Sequence, residues 1–490
     1  MTKPDSRSAS APSTSRRAVL GKMLGVGGAL IAAACTPAGG STPTPIAKVT
    51  GQPAQGATPT TVAAAANPTG ALAASQPVSE IVFTNYSTGS DRQIWETSAA
   101  DFTAKNPRYS VKYTPVAADS WGEYFDKLAT LIAGGNPPDI SRVAIEGALL
   151  FIAKGLALPY DDMMKGDKEI DDFRKDVNDR LWNTFQVEGK QYGFPFDWNN
   201  MVIFYNVDHL KEAGLPEPTN DWTHDQFLDY AMKLTKRPSG GGDPERYGFG
   251  FAIQYFAAAM PWIFNAGSNL LSDDWSKSNA DDPKLIEAIT FMRDLVWNHK
   301  VSPQPPSNNN DMQNLFVSGN ISMMGGGRWP VLFLEQQNFK GNYNVVAWPK
   351  WRDQVTEFGV GAFPILKATK KADAAYAWAK YLTTAEPSVY QFGLGSSIPS
   401  RRSVGYDQKV MEKGPKNWKL YYDSIEAPNA RPVPAPPEYN VVESIFRRYL
   451  SVTLANEQAP DAAMQAAHKE ISDTLAKRPK EWAIKSALLK

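Results

Sequence analysis

Short apolar runs alternate with amphipathic stretches along most of this chain. Residues 80–86 (Glu-Ile-Val-Phe-Thr-Asn-Tyr) and 109–115 are typical of strands. After Ser120, apolar side chains recur at helical spacing, namely Trp121, Tyr124, Phe125, Leu128 and Ile132. The sequence Gly-Gly-Asn-Pro-Pro at 134–138 ends that helix, and a further strand follows it. Strands that alternate with helices predict an α/β fold with a largely parallel sheet.

The same pattern restarts after Tyr192. Residues 201–205 are an apolar strand, and helices are predicted over 207–213 and 223–234, with Thr223 as the N-cap of the second. The chain has 490 residues, which is enough for two domains with buried cores. Two sheets, each with its own helices, fit this length best.

The N-terminal segment, residues 1–35, has the pattern of an export signal. Arg16 and Arg17 precede an apolar stretch, 18–34, that is rich in Ala, Gly, Leu and Val and is interrupted only by Lys22. This stretch is too short and too rich in glycine for a permanent membrane helix. The arginine pair resembles a twin-arginine signal, although the general export route stays open.

Cys35 is the only cysteine, so an internal disulfide is excluded. It follows Ile-Ala-Ala-Ala, which resembles the lipobox of bacterial lipoproteins, although Ala32 stands where that pattern prefers leucine. We predict that Cys35 is the lipidation site and that acyl chains hold the protein at a membrane surface. Ordinary signal cleavage close to an incidental cysteine is the alternative.

Residues 36–79 consist mainly of Thr, Pro, Ala, Gly and Gln, with almost no charged or aromatic side chains. Such a segment buries too little apolar area to offset the entropy of ordering it, so we predict a disordered linker. Signal, anchor and linker together predict an exported protein on the outer face of the cytoplasmic membrane or in the periplasm.

Composition narrows the possible partners. The 51 basic residues equal the 51 acidic ones, so nothing favours a nucleic acid partner. The four histidines are scattered without metal-ligand spacing, and we predict neither a metal nor a cofactor. Phosphate-loop, zinc-protease and serine-hydrolase motifs are absent, and we predict that the chain is not an enzyme. A glycosidase stays open, because it needs only two carboxylates.

Five segments of the body carry a family resemblance. They are YFDKLATLIAGGNPPDI at 124–140, KGLALPYDD at 154–162, QYGFPFDWNNMVIFYNVDHLKEAG at 191–214, LFVSGNISM at 315–323 and IPSR at 398–401. In this order they resemble landmarks of extracellular solute-binding protein family 1, whose members include maltose-binding-protein-like lipoproteins. The resemblance covers the chain from about residue 80 to its end.

The resemblance implies a periplasmic-binding-protein fold of type II, in which two α/β lobes enclose a ligand cleft. On that basis, lobe one holds residues 80–196 and 308–342, and lobe two holds 197–307 and 343–423. Helices in 424–490 are expected to pack across both lobes.

The resemblance also implies a function. Family members serve ABC importers, and the branch that looks most similar binds sugars or oligosaccharides. We therefore expect a monomeric, non-catalytic protein that binds a carbohydrate and delivers it to permease subunits. The alternative ligands are a glycerol phosphate ester, a polyamine or a peptide.

Sugar sites combine aromatic rings for the C–H face with polar groups for the hydroxyls. Trp329 and Arg328 follow three glycines that let backbone approach a ligand, and the family's equivalent segment lines the cleft. Trp262 lies in a loop that resembles a ligand-stacking loop of the family. Trp198, with Asp197 and Asn199, lies in an aromatic and amide-rich loop entering lobe two. Core or capping roles are the alternatives for each of them.

Further ligand contacts are expected at the ends of strands. Glu146 and Tyr86 follow predicted strands, and α/β sheets bind ligands at carboxyl ends. Asp139 begins a strand after Asn-Pro-Pro, where a carboxylate either binds ligand or fixes the turn. Gly361 resembles a glycine of the family's last crossover, which implies a hinge or close approach of the backbone to the ligand; a simple tight turn is the alternative.

Overall fold

The computed structural model describes residues 78–87, 89, 91–386, 389, 392–393, 397–483 and 486–487. The predicted export signal, Cys35 and the linker up to residue 77 lie outside these residues. No helix in the described part of the chain combines the length and apolar character that crossing a membrane would require.

Sixteen short strands are described. They are β1 Ser79–Thr84, β2 Tyr86–Ser87, β3 Tyr109–Tyr113, β4 Val116–Ala117, β5 Ile140–Ser141, β6 Val143–Ala144, β7 Gln186–Val187, β8 Lys190–Gln191, β9 Asp197–Asn200, β10 Val202–Asn206, β11 Tyr247–Gly250, β12 Ile321–Gly326, β13 Tyr343–Ala347, β14 Glu357–Ala362, β15 Ile398–Pro399 and β16 Arg431–Pro432.

The described helices surround these strands. They are α1 Arg92–Lys105, α2 Trp121–Ala133, α3 Ile145–Ala153, α4 Asp161–Met164, α5 Lys168–Lys175, α6 Asp179–Asn183, α7 Val207–Glu212, α8 His224–Leu234, α9 Met260–Asn265, α10 Pro283–Trp297, α11 Asn309–Val317, α12 Trp329–Gln336, α13 Ala372–Thr384, α14 Arg402–Gly405, α15 Gln408–Met411, α16 Lys419–Glu426, α17 Tyr439–Leu454 and α18 Pro460–Leu475. A π-helical turn, Tyr255–Ala259, leads into α9, and a 3₁₀ turn, Lys480–Trp482, follows α18.

The first lobe is built on a parallel sheet in the order β3-β1-β5. Ile81 of β1 lies opposite Val111 of β3, and Phe83 lies opposite Ile140 of β5. These strands are rich in apolar residues because α1 and α13 cover the sheet. The predicted α/β fold with a parallel sheet is confirmed for this lobe.

The second lobe has a mixed sheet in the order β11-β12-β10-β13. The central strand β10 is antiparallel to both of its neighbours, with Ile203 opposite Gly325 and Val346, whereas β11 and β12 are parallel. The expectation of a largely parallel sheet is therefore wrong here. All five residues of β10 are buried, as expected for a central strand.

The lobe boundaries differ from those predicted. Residues 308–342 were assigned to lobe one, but β12 pairs with β10 and β11, so this segment belongs to lobe two. Residues 343–423 were assigned to lobe two, yet α13 packs on lobe one, where the Trp378 ring lies 5.7 Å from Phe83. Apolar runs predict that strands and helices exist, but pairing partners depend on contacts between distant segments.

A third sheet joins the lobes. Its order is β15-β9-β14-β16, and β6 of lobe one also pairs with β14. Strand β9 runs antiparallel to β14, with Asp197 opposite Gly361 and Trp198 opposite Val360. The chain segments that pass between the lobes are therefore paired with one another. This linking sheet carries four of the predicted site residues, namely Asp197, Trp198, Asn199 and Gly361.

The C-terminal helix α17 contacts both lobes. Its Tyr439 ring lies 6.5 Å from Phe125 of α2, and its Phe446 ring lies 5.7 Å from Tyr255, which precedes α9. Helix α18 packs alongside α17 and α10.

Local capping explains where the main helices begin. The Ser120 hydroxyl accepts a hydrogen bond from the backbone N–H of Glu123 at 3.2 Å, which starts α2. Thr223 and Gln226 form a reciprocal capping box at α8, so the predicted Thr223 cap is confirmed. At the other end of α2, Gly135 adopts a positive φ of 78°, which a glycine reaches without strain.

Candidate functional site

A cavity of about 540 Å³ lies where the two lobes and the linking sheet meet. Lobe one supplies the ends of β2 and β6 and the start of α2. Lobe two supplies the starts of α11 and α12, and the linking sheet supplies β9 and β14. Because the carboxyl ends of β1 and β5 also point here, the cavity has the usual position of a ligand site in an α/β protein.

Aromatic rings form much of the cavity wall. Tyr86 and Trp121 are half-buried and lie against each other with ring centroids 4.9 Å apart. Trp329 faces them from lobe two, and Trp198 lines the cavity from the linking sheet although it is almost fully buried. The indole Nε1 of Trp329 is buried and has no hydrogen-bond partner among the described residues.

An ion pair crosses from lobe one to the linking sheet. The Arg142 guanidinium donates to Asp197 Oδ2 at 2.7 Å, and both side chains are largely buried. The second oxygen, Asp197 Oδ1, is buried and has no hydrogen-bond partner in the described part of the chain.

Gly361 leaves space for this pair. A Cβ atom at Gly361 would collide with Asp197 Oδ1 and would lie 3.1 Å from the Arg142 guanidinium. The glycine is therefore needed because these two side chains pack against its backbone, a role that the sequence did not predict.

Glu146 lines the cavity from the first turn of α3 and is only 3% exposed. Burial raises the pKa of its carboxyl group to about 8, the nearby Glu443 raises it further, and Arg142 opposes the shift. At neutral pH the group is therefore mostly protonated, and it can donate as well as accept a hydrogen bond.

Asn199 positions the neighbouring helix. Its Oδ1 accepts a hydrogen bond from the Arg328 backbone N–H at 2.8 Å, immediately before α12 begins at Trp329. A Cβ atom at Gly327 would collide with Asn199 and with the Trp329 ring, so this close packing requires glycine. These contacts hold the tryptophan at the cavity wall.

Seven of the predicted site residues lie around the cavity. They are Tyr86, Glu146, Asp197, Trp198, Asn199, Trp329 and Gly361. The fold brings them together from both lobes and the linking sheet, across almost three hundred residues of sequence.

Three predicted site residues are corrected, because none of them is among the residues that line the cavity. Trp262 is fully buried in the core of lobe two, 5.0 Å from the rings of Phe227, Phe291 and Trp348. It is a core residue because helices and strands from four segments close around it.

Arg328 is also buried, with its guanidinium 5.2 Å above the Trp418 ring, and burial lowers its pKa. Asp139 fixes the start of its strand. Its carboxylate accepts from the Val82 backbone N–H at 2.8 Å and from the Thr369 hydroxyl at 2.6 Å. Both side chains are therefore structural, which is the alternative that the sequence left open.

Other cavity residues were not predicted. An amide-rich run at the start of α11 contributes Asn308, Asn309, Asn310, Asp311 and Gln313. The run Ser-Asn-Asn-Asn-Asp after a proline-rich loop is a visible signal, since three adjacent amides exceed what an N-cap requires. Trp121 was named only for its helical spacing, and it lies on the cavity side of α2.

Bacterial extracellular solute-binding proteins match this chain over residues 86–388, which is more than half of its length. The chain belongs to this family. Members of the family are binding proteins, and the extracellular location agrees with the export that the sequence predicts.

Curated relatives of this solute-binding protein include proteins that are named for the sugars they bind. A putative binding protein of Brucella abortus is 28% identical over 263 residues, which are 52% of this chain and 59% of the relative. The lactose-binding protein of Rhizobium radiobacter is 22% identical and covers 64% of this chain and 74% of its own. The diacetylchitobiose-binding protein of Streptomyces coelicolor is 22% identical and covers 77% and 86%.

Solved structures show the same two-lobe fold. An ABC substrate-binding protein of Listeria monocytogenes in complex with cycloalternan superposes with a TM-score of 0.72 at 22% identity, over 82% of this chain and 100% of that one. Maltose-bound T. maritima MalE3 gives a TM-score of 0.70 at 19% identity, over 81% and 100%. The predicted two-lobe fold is therefore confirmed.

Proposed function

We propose that this solute-binding protein is the extracytoplasmic binding component of an ABC importer and that it captures a sugar or oligosaccharide between its lobes. The observation that carries this proposal is the cavity itself. It combines flat aromatic faces with amides, carboxyl groups and an arginine, as the C–H face and hydroxyl rim of a sugar require.

The composition of the cavity wall also bears on the alternative ligands. Among the described lining residues, Arg142 is the only cationic side chain, and Asp197 already pairs with it. A phosphate ester calls for convergent basic groups, so this cavity favours a carbohydrate over a glycerol phosphate ester.

Several properties of the whole protein complete the proposal. The ligand is delivered unchanged to permease subunits, and the protein acts as a monomer without catalysis. Lipidation of Cys35 holds it at the membrane, and the linker over 36–79 spaces the lobes from the surface. Mass spectrometry of the mature N-terminus tests the anchor, because an unmodified N-terminus at another residue would contradict it.

A thermal-shift screen with a panel of sugars tests the ligand class. A cognate sugar at one hundred times its dissociation constant is expected to stabilise the protein by about 2.7 kcal/mol. The screen uses the secreted chain and includes glycerol 3-phosphate, spermidine and short peptides. Stabilisation by one of these instead of a sugar, or release of hydrolysis products, would contradict the proposal.

A further inference from the structure

The cavity wall carries an excess of acidic groups. Five carboxyl side chains line it, namely Asp91, Asp119, Glu146, Asp197 and Asp311. Arg142 is the only cationic side chain among the described residues that line the cavity, which include no lysine or histidine. Arg142 pairs with Asp197 and also acts on Glu146, which is mostly protonated at neutral pH. The remaining acidic groups, Asp91, Asp119 and Asp311, have no further cationic side chain among the described lining residues.

The hydrogen bonds of Asp91 and Asp311 do not neutralise the charge of these two carboxylates. Asp91 accepts from the Trp95 indole N–H at 2.8 Å and from the Ser87 hydroxyl at 3.3 Å, and both donors are uncharged. Asp311 accepts from the amide Nδ2 of Asn308 at 2.9 Å. Neutral donors fix the orientation of a carboxylate but leave its negative charge in place.

The pKa of Tyr86 reflects the negative charges on the lobe-one side of the cavity. The pKa of its phenol is raised, first by burial and then by the charges of Asp119 and Asp91, with smaller contributions from Glu443 and Glu123. The charges that raise this pKa most are all negative.

The aromatic rings of the wall suit a cation as well as a sugar face. The Arg142 guanidinium already lies 5.3 Å above the Trp121 ring, so a positive group is stable against this wall. Two nearly buried acceptors complete the site. Asp197 Oδ1 is buried without a hydrogen-bond partner among the described residues, and Glu146 is 3% exposed.

We propose that the cavity prefers a carbohydrate that bears a positively charged amino group over the corresponding neutral sugar. This inference rests on the proposed function, since it names the class of sugar that the same site takes. The ring of the ligand packs on the indoles, and its ammonium group lies in the negative field near Asp91 and Asp119. A uronic acid is expected to be excluded, because its carboxylate would face the same groups.

Isothermal titration calorimetry with matched sugars tests the preference. The probes are glucose and glucosamine, galactose and galactosamine, mannose and mannosamine, and cellobiose and chitobiose, at a pH where the amines are charged. For at least one pair, the amino sugar is expected to bind about tenfold tighter at low salt, which corresponds to about 1.4 kcal/mol. The difference should shrink as ionic strength rises, because the carboxylates are partly solvated.

Substitutions of the lining aspartates test where the ammonium group of the ligand binds. Asp119→Asn and Asp91→Asn are each expected to reduce the ratio of neutral-sugar to amino-sugar dissociation constants severalfold. Asp243→Asn is the matched control, because Asp243 is exposed in a distant loop and is expected to leave this ratio unchanged. Circular dichroism melts of each variant exclude unfolding as the cause.

The outcomes separate the two proposals. Neutral sugars that bind as tightly as their amino forms, or more tightly, would overturn the amino-sugar preference and leave the proposed function standing. If spermidine binds and no sugar of the panel does, the carbohydrate function itself is overturned. An amino-sugar preference that persists in both aspartate variants would also contradict the proposed location of the cation.

Discussion

At the scale of single residues, the tryptophans of this protein serve several different purposes. Trp262 is fully buried among aromatic neighbours and stabilises lobe two, whereas Trp329 is half-buried and exposes one face to the cavity. Trp297, at the end of α10, is 38% exposed and donates its indole N–H to the Leu454 carbonyl at 2.9 Å. These differences in exposure decide which of the three a ligand can contact.

Trp329→Ala is expected to weaken sugar binding at least about tenfold, because the variant loses a flat apolar face in the cavity. Its melting temperature should fall much less than that of Trp262→Ala, since a fully buried aromatic costs about 3–5 kcal/mol when truncated. Calorimetric titration and thermal melts measure the two effects, with Trp297→Ala as the control outside the cavity. Equal losses of affinity and stability in Trp329→Ala would identify Trp329 as a core residue instead.

The sequence predicted seven residues of the cavity wall and missed others for a physical reason. Trp262 and Trp329 both lie in mixed apolar and glycine-containing segments, so their local sequences look equally suited to a ligand. Burial of Trp262 depends on Phe227, Phe291 and Trp348, which come from distant parts of the chain. Tertiary contacts of this kind are absent from a local pattern.

At the scale of elements, helix starts set the geometry of lobe two. Helix α8 begins with the capping box of Thr223 and Gln226, and α12 begins where Asn199 holds the Arg328 backbone. The first contact stabilises the fold, whereas the second also orients Trp329. Element positions were largely predictable because capping residues and helical spacing are local signals. The lobe to which β12 and α13 belong was not predictable, since it depends on contacts between distant segments.

Thr223→Ala is expected to lower the free energy of unfolding by about 1 kcal/mol, because the backbone N–H of Gln226 loses its acceptor. Thr223→Ser retains the hydroxyl and should preserve most of the stability. Sugar affinity should be unchanged in both, since Thr223 is exposed and does not line the cavity. Urea denaturation measures the first effect; a Thr223→Ala variant as stable as the parent would show that the cap contributes nothing.

At the scale of the whole molecule, buried glutamates gather where lobe one, the linking sheet and α17 meet. Glu146 comes from α3, Glu357 from β14 and Glu443 from α17, and all three are almost fully buried. Burial raises the pKa of each; Glu443 reaches about 7, with Arg447 opposing the shift. The charges of all three act on the Tyr255 phenol that lies among them.

This cluster makes stability depend on pH. The folded pKa values of about 8 for Glu146 and about 7 for Glu443 exceed the ordinary value of 4.5. The folded state therefore holds more protons than the unfolded state between pH 4.5 and 8, so stability is lost as pH rises through this window. Each unit of pKa shift corresponds to about 1.4 kcal/mol.

Glu443→Gln is expected to reduce the fall in melting temperature between pH 5 and pH 9, because the variant has no proton to lose there. Glu146→Gln should act in the same direction, and the exposed Asp243→Asn should leave the pH profile unchanged. Thermal melts across the pH range measure the slopes. A steeper slope in either glutamine variant would contradict the assignment.

The linking sheet has a mechanical consequence. Asp197, Trp198 and Gly361 lie on the strands that tie one lobe to the other, and they also line the cavity. Any rotation of one lobe relative to the other must twist the surface that contacts the ligand. Ligand contact and lobe rotation are therefore coupled through one set of backbone hydrogen bonds. A substitution that stiffens these strands should alter the dissociation rate of the ligand even when the substituted residue does not contact it.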